Sequence, residues 1–380
     1  MMKRILATLM AMLLCLSLVA GAMAEELTVE SLGVEFLVPD GDMIPDIPEE
    51  YDGHKTMSVP AFAATLTPEE LQQVHDGNYT AVFCTFDAQS AWGRAMVNAV
   101  TNTLAALNIE LLAATDGAQK VETCVKNFES AIQLNPDVII VAGMDPAAEY
   151  QGWKNAIDEG RKLVFIQNVP SDFVVNQDYY GCVCPDNYSQ AYIGHKQMLE
   201  AIGGEGEVVY INIVYDNYEN KLRQQAFADA CAEYPKVTVL DTVDVMSIEE
   251  ANNFAESMAQ THPDLKGVAG LWDELVMAAI NAMNGLGMDV KGGTNGISEL
   301  SCLSMIQGTG YVGSGTECAK DMGCGAVLMA AAALLGKECP EMMLTPTVKC
   351  NKDNLPEAWK LTYGEDLPAN LQKAWDAANN

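Results

Sequence analysis

Within "FDAQSAW", residues 86–92, stand a carboxylate, an amide, a hydroxyl and an indole: Asp87, Gln89, Ser90 and Trp92. These groups supply acceptors, donors and a flat apolar face. An indole face packs against the C–H surface of a sugar ring or against a cation. A second indole stands in "GVAGLWDELVMAAI", where Trp272 precedes Asp273. Either Trp alone reads as the first core residue of its helix, and Asp273 reads equally as a helix N-cap. As a pair from two halves of the chain, the indoles have the makings of a clamp. Arg223, in "NKLRQQAF", adds a planar fork suited to two hydroxyls or a carboxylate. Gln167, Asn168, Asn295 and Glu317 add amides and an acceptor at the ends of other apolar runs.

Motifs for other chemistries are missing or misplaced. "GTGYVG", Gly308–Gly313, has the glycine spacing of a dinucleotide loop, but a helical stretch precedes it and an extended run follows. That order is the reverse of what a pyrophosphate on a helix N-terminus requires. There is no G-x-S-x-G, no Walker lysine loop and no zinc motif. The four histidines (54, 75, 195 and 262) are scattered and stand near no cysteine pair. No catalytic group, metal or cofactor is expected.

The candidate residues sit at the ends of strand-like runs. The first series is Ala81–Phe86, Ile109–Ala113, Asp137–Ala142, Leu163–Gln167 and Tyr179–Val183; the second is Val208–Val214, Val237–Val243, Gly267–Leu271 and a weaker Val290–Thr294. Helical periodicity fills most of the gaps; Trp92, Ala95, Met96, Ala99, Val100 and Thr103 form one apolar face. Strands alternating with helices imply parallel sheets covered on both faces. The fold expected is therefore α/β, with two doubly wound parallel-sheet lobes. Ligands of such sheets lie beyond the carboxyl ends of the strands, where these polar turns gather.

The chain opens "MMKRILATLMAMLLCLSLVAGAMAEE": Lys3 and Arg4, an apolar run, then Ala22-Met23-Ala24. This reads as a secretory signal peptide over residues 1–24, with an exported periplasmic or extracellular product. A lipoprotein anchored through Cys15 is the rival, disfavoured by the bulky Leu14 before it. Residues 25–78 read as an acidic leader, loosely packed over 25–60, and a short helix that Thr67 and Pro68 begin. With 52 acidic and 21 basic residues the net charge is −31, which opposes nucleic-acid binding. Eleven cysteines lie mostly inside apolar runs, as small hydrophobes would; Cys318–Cys324 is the one bridge left open.

Several stretches resemble the type I periplasmic sugar-binding proteins, the ribose- and galactofuranose-binding relatives. They are "IVAGMDPAAEYQGWKNAIDEGRKLVFIQN", "VCPDNYSQAYIGHKQMLEAIGGEGEVVYI", "LRQQAFADACAEYP", "HPDLKGVAGLWDELVMAAINAMNGLG" and "TPTVKCNKDN". The resemblance runs from about Tyr79 to Asn354. It implies a three-segment hinge near 184–186, 316–318 and 346–348. Residues 79–184 plus 318–346 would then form the N-terminal lobe, and 185–317 plus 347–380 the C-terminal lobe and tail. It places Asp87, Ser90, Trp92, Gln167, Asn168, Arg223, Met246, Trp272, Asp273, Asn295 and Glu317 at the ligand. "SAWGR" is close to the galactofuranose-binding "SGWR". Gln167-Asn168 departs from the usual Asp-Arg, and Met246 takes the place of an aromatic, so ribose is disfavoured. The function implied is a monomeric solute-binding protein of an ABC importer that closes on a monosaccharide and delivers it to a membrane permease. A cationic amine, a nucleoside-like ring and a chemosensory receptor role are the alternatives.

Overall fold

The computed structural model describes residues 26–38, 43–51, 54–213 and 218–379. The expected signal segment, Cys15 included, lies outside these residues, as do Asp216 and Asn217 before Arg223. Seven strands come first: β1 (Glu50–Tyr51), β2 (His54–Ser58), β3 (Thr80–Thr85), β4 (Glu110–Asp116), β5 (Val138–Ala142), β6 (Lys162–Ile166) and β7 (Cys182–Pro185). The others are β8 (Glu205–Ile213), β9 (Lys236–Val245), β10 (Leu265–Gly270), β11 (Lys291–Asn295), β12 (Tyr311–Glu317), β13 (Met342–Thr345) and β14 (Thr347–Asn351).

They form two sheets. One runs β1-β2-β13-β7-β6-β5-β3-β4 and the other β14-β12-β11-β10-β8-β9. All pairings are parallel except β1–β2 and β12–β14. The central strands are apolar on both faces because helices cover both; every side chain of β5 is buried. The helix Ala319–Leu334 is apolar all round and accordingly buried, packed on the helix Ala91–Ala106 and on β5 and β6. The chain thus builds the expected mixed α/β fold with two lobes. It passes from one sheet to the other between β7 and the helix Asn187–Ala201, between β12 and the helix Ala319–Leu334, and between β13 and β14.

The leader differs from its expectation. Residues 54–58 form β2, which pairs in parallel with β13 and extends the first sheet beyond it. Tyr51 is buried with Cys184 and Leu344, and its hydroxyl oxygen accepts from the Tyr188 N–H (3.2 Å). The Lys349 N–H donates to the Met43 carbonyl (2.8 Å) and the Leu37 N–H to Asp321 Oδ2 (2.8 Å). Segments on both sides of the lobe junction are therefore tied to the leader. The helix Pro68–Asp76 does begin under a capping box, Thr67 with Glu70.

The ten described cysteines are all free thiols, Cys318 and Cys324 among them, and only Cys231 is not fully buried. Burial pushes the Cys84 thiol up to about 12, so it acts as a small core side chain. Among the described residues no helix is long and apolar enough to cross a membrane.

Candidate functional site

The turn after β3 is assembled by its own polar atoms. Asp87 Oδ1 accepts from the N–H groups of Gln89 (2.9 Å) and Ser90 (3.3 Å), and the Ser90 hydroxyl donates to Asp87 Oδ2. Ser90 also caps the helix Ala91–Ala106 by accepting from the Gly93 N–H (3.0 Å). A Cβ on Gly93 would lie 2.6 Å from the Asp87 carbonyl, so only glycine lets the helix start this close to the turn. The result is a rigid mount for Trp92, which stacks on Phe86 with centroids 5.1 Å apart.

From the other lobe comes the turn after β10. Trp272 occupies the N-cap position and makes no side-chain cap bond, whereas Asp273 begins the helix. The Asp273 carboxylate accepts from the hydroxyls of Ser298 and Ser301, both at 2.6 Å, and so pins the segment after β11. The N-cap alternative for Asp273 is replaced by this brace.

Both turns open into one cavity of about 570 Å³, lined from both sheets. Of the expected residues, Asp87, Ser90, Trp92, Gln167, Asn168, Arg223, Trp272, Asp273, Asn295 and Glu317 line it. Met246 does not, which corrects the expectation. β9 is the edge strand of its sheet, and the turn beyond it folds back so that the Met246 N–H donates to Glu250 Oε2 (2.8 Å). The Met246 side chain is left 72% exposed, outside the cavity.

At the floor, Arg223 is only 6% exposed. Its guanidinium donates to Asn187 Oδ1 (2.8 Å) and pairs with Glu219 Oε2 (3.3 Å), while its Nε–H has no partner among the described residues. Glu317 ends β12 and accepts from the Gln167 amide (3.2 Å). Gln167 reaches it from a left-handed backbone conformation, φ +69°, which costs a residue with a Cβ about 1–2 kcal/mol. Asn168, buried beside it, donates to the Gly143 carbonyl (3.3 Å).

Burial raises the Glu317 pKa to about 7; the nearby Arg223 charge lowers it and the Glu219 charge raises it. The folded-state value lies above the ordinary one, so this carboxyl's contribution to stability is lost as pH rises through about 7. Glu317→Gln should therefore match the parent protein near pH 4.5 and melt a few degrees higher than it near pH 8. Equal melting differences at both pH values would refute a carboxyl titrating near neutrality.

Several lining residues escaped the sequence reading. Glu219 had a signal, since it stands four residues before Arg223 on one helix face. Phe86 looked like strand, and Tyr363 arrives from the helix Leu355–Tyr363, whose periodicity marks only packing. Glu274 lines the cavity with no partner of its own among the described residues, next to the partnered Asp273. Burial raises the Glu274 pKa, and the charges of Asp273 and Asp87 raise it further. Among the described residues no cluster of ligating side chains could hold a metal ion.

A cleft between two α/β lobes, lined by a buried Arg and by an indole from each lobe, has the size and lining of a small-molecule site. The family model described as the periplasmic binding protein domain matches residues 80–338. The chain belongs to this family. The D-ribose/D-allose-binding protein of Pseudomonas aeruginosa is 27% identical over 166 residues, covering 43% of this chain. The match spans about half, 52%, of that relative's length. Among solved structures, an ABC transporter solute-binding protein from Agrobacterium vitis, bound with α-D-tagatopyranose, superposes with a TM-score of 0.67 at 20% identity. It covers 76% of this chain and all of its own. A galactofuranose-binding protein gives 0.65 at 18% identity, over 75% of this chain and 99% of its own. A protein from Actinobacillus succinogenes with bound D-allose gives 0.62 at 20%, over 73% and 98%. These solved structures share the fold of this chain.

Proposed function

We propose that this periplasmic binding protein is exported, acts as a monomer, and binds a small sugar or sugar-like solute between its lobes for an ABC permease. One observation carries the reading. Trp92 and Trp272, one from each lobe, line a single cavity whose floor holds Arg223 with an unpartnered N–H. Flat faces on two sides suit a ring, and the buried donor suits a ring or hydroxyl oxygen. The relatives that bind allose, tagatose and galactofuranose support the ligand class. The volume, about 570 Å³, lies within the usual range for small-molecule sites, about 300–1,000 Å³. Its role is binding and release rather than catalysis, and hinge closure is the signal a permease would read.

A thermal-shift screen of monosaccharides, polyols and nucleosides tests the reading, since a specific ligand raises the melting temperature by mass action. Trp92→Ala should weaken the best hit about 30-fold, roughly 2 kcal/mol, in calorimetry while the protein stays folded. Unchanged affinity would remove Trp92 from the site. Shifts with nucleosides alone would overturn the sugar class.

A further inference from the structure

The cavity wall carries six carboxylates, Asp87, Glu219, Asp273, Glu274, Glu299 and Glu317, against two guanidiniums, Arg94 and Arg223. Among the described residues only Glu219 is ion-paired within the wall, by Arg223, whose charge also reaches Glu317. Asp87 and Asp273 are hydrogen-bonded, but among the described residues every donor to them is neutral, a backbone amide or a serine hydroxyl. Glu317, held by the Gln167 amide, is the carboxyl that burial pushes up to about 7 and so adds least to the deficit. Glu274 has no partner among the described residues. Arg94, the other guanidinium, donates to the Gln89 carbonyl (2.7 Å) and pairs with no carboxylate among the described residues. Asp87 comes from one lobe and Glu274 from the other, so closing the cleft brings their charges into a drier space. Carboxylates that lose water without gaining a counter-charge resist such closure.

Two further features point to a ligand independently of the acids. Arg223 lines the cavity and its buried Nε–H has no acceptor among the described residues, and Trp92 and Trp272 line the cavity as well. A ligand that answers all three features has a ring, an oxygen acceptor for Arg223 and a positive charge for the acidic wall.

Resting on the sugar reading above, we propose that the solute is an amino sugar. Its ring lies between the indoles, a ring or hydroxyl oxygen accepts from Arg223, and its ammonium is met by Glu274 and Asp87. The charge on the ligand completes the electroneutrality that the closed cleft lacks, and the aromatic faces add cation–π attraction. A neutral sugar of the same shape fills the cavity but leaves the wall uncompensated.

The experiment is calorimetry on the full chain with matched pairs: glucosamine with glucose, galactosamine with galactose, mannosamine with mannose, at about pH 6.5, where the amine is charged. At least one amino sugar should bind ten-fold or more tightly than its neutral parent. Glu274→Gln should cut that preference several-fold while leaving the neutral partner's affinity level or improved. A merely structural role for Glu274 would move both members of the pair together. Neutral sugars binding as tightly as their amino counterparts would overturn this inference and leave the sugar reading standing. Binding of choline or spermidine with no sugar bound would overturn the sugar reading and keep the need for a cation. Silence across all of these probes would overturn both.

Discussion

Replacing Arg223 by methionine should destabilise the protein by about 3–5 kcal/mol and reduce ligand affinity about a hundred-fold or more. The side chain is buried with Glu219, itself 7% exposed, and with Asn187, which is fully buried. Methionine fills similar space but strands the Glu219 carboxylate in a site where water cannot replace the guanidinium. Glu317 would feel the loss as well, because the Arg223 charge is what restrains the rise of its pKa. Arg223→Lys is not an adequate rescue, since one ammonium cannot reach Asn187 and Glu219 and still leave a planar donor for the ligand. Urea melts and calorimetry read the two effects separately. A melt indistinguishable from the parent protein would show that the buried pair adds nothing net to stability.

Gly194→Ala should be comparably damaging, for a reason that involves no charge. Gly194 lies in the helix Asn187–Ala201, and a Cβ there would stand 1.8 Å from the Thr294 carbonyl oxygen and 2.4 Å from its carbon. Those are backbone atoms of β11, so no rotamer change relieves the clash. The helix must lift off the sheet, at a cost of several kcal/mol, above the about 1–3 typical of overpacking. Asn295 follows Thr294 directly and lines the cavity, so lost affinity should accompany a lowered melting temperature. Gly315 repeats the arrangement, its Cβ position being 2.4 Å from the Gln190 carbonyl oxygen. A Gly194→Ala protein that melts and binds normally would mean this helix–sheet contact is softer than its geometry.

These glycines show what could and could not be read beforehand. Alternating apolar runs located β3, β5 and β6 to within a residue or so, because strands buried on both faces need continuous hydrophobic sequence. Tyr179–Val183 was placed too early: β7 begins at Cys182, after Gly181 turns at φ +86°. In "KGGTN" the apolar signal is faint, since the Gly194 carbonyl lies where a Gly293 side chain would be and Val276 and Ile280 fill the space beside Gly292, and the strand reads only weakly. Ten of the eleven expected residues line one cavity because the fold collects the ends of its parallel strands at one place. Met246 failed since its turn belongs to an edge strand, and sheet order is not encoded locally. The leader failed for a related reason. Its proline-rich, acidic composition argues for loose structure, and β2 joins the first sheet only through β13, nearly three hundred residues away.

That last pairing also governs the order of assembly. β13 lies between β2 and β7 and pairs with both, so residues 54–58 and 182–185 cannot join one sheet until residues 342–345 are in place. Closing contacts so distant along the chain is slow, because chain entropy must be lost before the contacts reward it. A chain ending before Met342 would leave open edges on β2 and β7, a hazard for wrong pairing. The first-synthesised strands, β1 and β2, are thus the ones that must wait for one of the last.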